Sequence, residues 1–147
     1  MSAVQIRSAI ESVCRRLGLR LQAETVYEEI WKLSLADIAG IPEITMTMPE
    51  DNVLLMSFAG LKGSLIFTEE EEDEDDVSLE QDIVSTISGL AAGTIRVHYS
   101  EGMFGTTLRL AEKTQDGWEM GQLSWTMRFH PWPTFRPTIY QATSKAT

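Results

Sequence analysis

The sequence has little with which to do covalent chemistry. Its 147 residues include one cysteine and two histidines. A lone cysteine cannot close an internal disulfide, which excludes a secreted disulfide scaffold and points to a reducing, cytoplasmic setting. Cys14, His98 and His130 share no ligand spacing, so no metal site and no cofactor are expected. The glycines never cluster into a phosphate-cradling loop. Basic residues are also scarce, with 12 Lys and Arg against 22 Asp and Glu and a net charge of -10. That balance argues against nucleic acid or an anionic membrane as the main partner, because phosphates recruit cations. No run approaches the ~20 apolar residues that span a bilayer. The start, Met1-Ser2-Ala3-Val4-Gln5, lacks the basic and then apolar stretches of a signal peptide.

What is present is enough apolar material for one core. The hydrophobic fraction is 43%, too high for wholesale disorder and suited to a single domain, expected over residues 1–140. Residues 141–147 read as a frayed tail. The charge is concentrated: Glu69 to Asp76 is an unbroken run of eight acids, and the remaining body is nearly neutral. Contiguous like charges repel, so a solvated loop is expected there. With contiguous acids and no glycine, the run does not fit an EF-hand calcium loop.

Ile6, Ala9, Ile10, Val13, Cys14 and Leu17 follow helical spacing, with Ser2 and Gln5 placed for a capping box and Gly18 for a stop. The period then changes to two. Strands are expected within Tyr27 to Leu35, Glu43 to Met48, Val53 to Phe58 and Ser64 to Phe67, with turn chemistry at Pro49-Glu50-Asp51-Asn52. Ser78 and Gln81 open a second helix that carries Leu79, Ile83, Ile87, Leu90 and Ala91 and ends at Gly93. Strands follow at Thr94 to Ser100, Thr106 to Lys113 and Trp118 to His130, the last with a bulge near Gly121 where the parity switches. The segment from Pro131 to Pro137 reads as extended. The order helix–strands–helix–strands, with short connections, makes the fold class α+β: an antiparallel β-sheet with two helices.

No catalytic constellation is legible, and a non-enzymatic binding protein is expected. Seven methionines and four tryptophans suit either core filling or an adaptable binding surface. Val53 and Leu55 oppose Leu54, Met56 and Phe58, so the sheet presents apolar residues on both faces. Two helices cover little more than one, and a partner is expected on the other.

Two segments carry a family resemblance. Ile6-Arg7-Ser8-Ala9-Ile10-Glu11-Ser12-Val13 is one; Gly40-Ile41-Pro42-Glu43-Ile44-Thr45-Met46-Thr47-Met48, continued by Asp51-Asn52-Val53-Leu54-Leu55-Met56 towards Gly60, is the other. Together with the element order, they resemble the effector chaperones of bacterial type III secretion, of the invasion protein B type, over about residues 4 to 113. The resemblance implies a cytoplasmic homodimer that holds the N-terminal segment of a secreted effector extended and ready for export. It places client binding at Leu33, Leu35, Met46, Met48, Leu54, Met56 and Phe58, and the dimer interface at Ile83, Ile87, Ile95 and Val97. Two readings of another kind stay open beside it. One is an acidic inhibitor or immunity-type protein that binds a basic toxin or nuclease through the acidic run; the other is a structural subunit of a larger assembly.

Overall fold

The computed structural model describes residues 3–27, 30–68, 78–127 and 138–143. The first helix, α1, spans Ala3–Arg16 and buries Ile6, Ile10, Val13 and Cys14, the one apolar stripe that helical spacing allows. Gly18 ends the approach to the next strand at φ +71°, a left-handed conformation open to glycine. Ser2, half of the expected capping box, lies outside the described residues.

Five strands follow: β1 (Leu21–Tyr27), β2 (Ile30–Leu35), β3 (Ile44–Glu50), β4 (Val53–Phe58) and β5 (Leu65–Thr68). They pair in chain order as an antiparallel meander. Glu50 pairs with Val53, so the β3–β4 hairpin turns through Asp51 and Asn52, with Asn52 at φ +64°. β1 is a strand that the sequence reading did not separate. From its first half only Leu21 packs against the core, opposite Leu35, while Ala23, opposite Leu33, is exposed, so its alternation is faint. Tyr27 pairs with Ile30, placing a reversal inside the stretch read as one strand.

The acidic run lies outside the described residues. The second helix, α2, spans Leu79–Ala92. Ser78 Oγ accepts from the Gln81 N–H at 3.2 Å, and Gly93 closes the helix at φ +81°. The chain then builds a separate sheet from β6 (Ile95–Glu101), β7 (Gly105–Thr114), β8 (Gly117–Met127) and β9 (Thr138–Tyr140), in the order β8-β7-β6-β9. There are thus two antiparallel sheets where one was expected: α2 carries the chain away from β5, and the later strands pair among themselves. The bulge near Gly121 is present. Arg109 pairs with Leu123 and Ala111 with Met120, so β8 spends one residue more than β7.

One core joins the layers. α1 packs on α2, α2 touches β5 and β6, and β5 touches β8. The Trp31 indole N–H donates to the Ala3 carbonyl at 3.1 Å, tying α1 to β2. Gly89 lets α2 approach the second sheet, because a Cβ there would stand 2.5 Å from the Ile95 side chain. At the other end, the Lys62 N–H donates to the Tyr99 hydroxyl at 3.3 Å. Residues 141–143, read from sequence as the start of a frayed tail, are anchored. The Thr143 N–H donates to the Ala39 carbonyl at 2.9 Å, and Gln141 Nε2 donates to the Gly93 carbonyl at 2.8 Å.

Candidate functional site

The residues assigned to client binding are not surface residues. Leu33, Leu35, Met46, Met48, Leu54, Met56 and Phe58 are each at most 3% exposed. They form the inner face of the first sheet, in cross-strand rows such as Leu33–Met46–Met56–Leu65, and belong to the core cluster that also holds the buried stripes of both helices. The proposed dimer residues meet the same correction. Ile83 and Ile87 of α2 and Ile95 and Val97 of β6 are buried within this chain's own core. Period-two apolar residues do mark a buried face, but the chain's own helices cover it.

Four of the exposed large apolar side chains among the described residues, Met120, Trp125, Met127 and Ile139, share the other side of the second sheet, while Val4, Leu17, Ile66, Met103 and Phe104 are exposed elsewhere. Ile95, Val97, Tyr99, Leu108 and Leu110 point inward. Register and parity therefore send Arg96, His98, Arg109 and Lys113 outward, alongside Trp118, Met120, Trp125, Met127 and Ile139. Trp125 is 55% exposed, Met127 78%, Met120 40% and Ile139 45%. Trp125 lies over Gly105, where the absent side chain leaves room for the indole; a Cβ would meet the ring. Arg96 stacks its guanidinium 3.7 Å from the centroid of Trp118. Val53, Leu55 and Ile66 make a smaller outward patch on the first sheet, amid Thr45, Ser57 and Thr47.

The same face is electropositive. Arg96 Nε donates to His98 Nε2 at 3.1 Å, which requires an unprotonated Nε2 and a neutral ring. Burial holds the His98 pKa below its ordinary value of 6.5, and the neighbouring Arg96 and Arg109 push it in the same direction. Arg109 Nε is shielded from solvent and has no hydrogen-bond partner among the described residues. No acid occupies an outward position among the described residues of this sheet.

Elsewhere the chemistry is sparse. Cys14 is 1% exposed and burial pushes its thiol up to about 11, so it is a packing residue. Among the described residues no group of three or more His, Cys, Asp or Glu could hold a metal ion, and no helix is long and apolar enough to cross a membrane. A cleft of about 560 Å³ opens where the C-terminal ends of both helices meet Ile38, Ala39 and Ala142. Asp37 on its rim accepts from the Arg20 N–H at 2.7 Å. His130 and the aromatic segment around Trp132 lie outside the described residues.

The signal for the outer face was the parity of β6 to β8. Arg96 and His98, and Trp125 and Met127, recur at a spacing of two, Arg109 and Lys113 at a spacing of four, and the bulge at Gly121 keeps Trp118 and Met120 on the side of Trp125. Fold and surface together define a two-helix, two-sheet α+β protein that leaves one apolar, cationic sheet face open. The chain matches no family model, no curated protein and no solved structure.

Proposed function

We propose that the protein is a non-catalytic, cytoplasmic binding protein that works as a type III secretion chaperone, holding the N-terminal segment of a secreted effector extended for export. The observation that carries this reading is the outer face of the second sheet, where tryptophan and methionine side chains stand exposed together. The client docks there, and the edge of β8, which pairs only with β7 among the described residues, offers main-chain hydrogen bonds for strand addition. The buried stripe of the first sheet holds the scaffold together and takes no part in capture. A homodimer in this reading uses surface outside Ile83, Ile87, Ile95 and Val97. The inhibitor reading gains no support from this face, whose charge is opposite to what a basic toxin needs.

Co-expression with effector N-terminal segments, followed by size-exclusion chromatography with light scattering, tests the reading. A stable complex is expected, and Trp125→Ser combined with Met127→Ser should abolish it without lowering thermal stability. Capture undiminished by that double variant would place the client elsewhere.

A further inference from the structure

The outer face of the second sheet is more specific than a greasy patch. In a chain of net charge -10, it gathers Arg96, Arg109 and Lys113 without an outward carboxylate among its described strands. Arg96 already has two neighbours, the Trp118 ring and His98. Arg109 is half-buried, and its enclosed Nε has no acceptor among the described residues. The Nε itself is out of a ligand's reach, but cations gathered on one sheet face without an outward acid among the described strands repel one another, and a carboxylate arriving on the less buried part of the cluster would relieve that repulsion with charge-assisted hydrogen bonds. The apolar neighbours Trp118, Trp125 and Met127 limit what else can bind well, since a bare anion would leave them uncovered.

We propose that this face binds an extended acidic polypeptide segment interspersed with aliphatic or aromatic residues, its carboxylates on Arg109 and Arg96 and its apolar side chains on Trp118, Trp125 and Met127. This rests on the client-capture reading and adds the chemistry of the client. Arginine beside exposed tryptophan also suits a single nucleic-acid strand. The rest of the chain disfavours it, because a phosphate backbone running beyond the patch meets an acidic protein.

Fluorescence anisotropy with the full chain and four labelled probes tests the proposal: short peptides alternating Leu with Glu, with Gln or with Lys, and oligo(dT). The Glu peptide should bind roughly tenfold or more tightly than the Gln peptide, a difference set by at least one charge-assisted contact. The Lys peptide should bind weakest, and salt should reduce the preference. Arg109→Gln and Arg109→Met should each erase most of the Glu preference, while Ile66→Ser on the first sheet should change nothing. Thermal melts confirm that each variant is folded. Equal binding of the three peptides, all weakened by Trp118→Ser, would overturn the acidic assignment and leave the capture reading standing. Preference for oligo(dT), or no binding by any probe, would overturn both.

Discussion

The two sheets are built alike inside and differently outside. Each presents an alternating apolar face to the helices, with Leu33, Met46 and Met56 in the first and Val97, Leu108 and Leu110 in the second. Outward, much of the first sheet shows the polar alternation expected of a solvated antiparallel sheet: Gln22, Ser34, Thr45 and Ser57 lie in one row. The second sheet breaks that rule. Its outward positions hold tryptophan, methionine and arginine without an outward acid among the described residues, a combination that a solvated sheet face does not need for folding. Inner-face similarity therefore reports how the chain folds, and outer-face difference marks where we propose that it binds.

The largest expected effect separates these roles. Leu33→Ala removes a fully buried side chain from the first sheet's inner face and should lower unfolding free energy by about 2–5 kcal/mol in chemical denaturation. A client-contact residue would instead lose affinity and leave stability within about 0.5 kcal/mol of wild type. That second outcome would break the comparison by returning the binding surface to the first sheet.

The inner face of the second sheet should be comparably unforgiving. At Gly89 an added Cβ would stand 2.5 Å from Ile95 Cγ1 and Cδ1 and 3.1 Å from its Cβ, so rotation of the Ile95 tip relieves only part of the clash. Alanine favours the helix by ~1 kcal/mol over glycine, but overpacking costs about 1–3 kcal/mol. Gly89→Ala should therefore be net destabilising, read as a lower melting temperature. A raised melting temperature would show that α2 rides loosely on β6.

Arg109→Met sharpens the outer-face half of the comparison. Removing an enclosed, unpaired donor while keeping an unbranched chain should leave stability unchanged or slightly raised, by at most about 1 kcal/mol. Client affinity should fall in the same variant. Loss of both properties together would make Arg109 structural.

Much of this was legible in sequence. Helical spacing located both helices. Gly18, Gly93 and Ser78 marked their ends because each has a local reason to sit there: left-handed φ, or a hydroxyl acceptor for an orphan N–H. The bulge at Gly121 was visible as a switch of parity. Three things were not. β1 carries too few apolar residues to reveal its alternation. The division into two sheets depends on which strands find one another, which local pattern does not encode. The residues expected to bind a client turned out to lie in the core, because Met46 and Trp125 look alike as apolar strand residues. Only packing shows that α1 and α2 cover one and leave the other open, and the resemblance drew attention to the covered face.

The smallest effect is the most local test of the electropositive face. Because the folded pKa of His98 lies below 6.5, the unfolded chain binds more protons between the two values. His98 therefore makes stability rise with pH across that window, and its contribution is fully present above 6.5 and diminished below the folded pKa. The ring is partly solvated, so the slope should be shallow. The same linkage runs the other way in the complex. A carboxylate placed among Arg96, His98 and Arg109 stabilises the imidazolium, so the NMR titration midpoint of His98 should move upward when the Glu-containing peptide is added. Affinity should then strengthen as pH falls through that window, until the peptide carboxylates themselves protonate near their ordinary range of about 4. Asp82 of α2, whose pKa is raised by burial and by Glu112 on the opposite, inner face, should be blind to the peptide. A midpoint for His98 that ignores the peptide would detach the binding surface from this face of the second sheet.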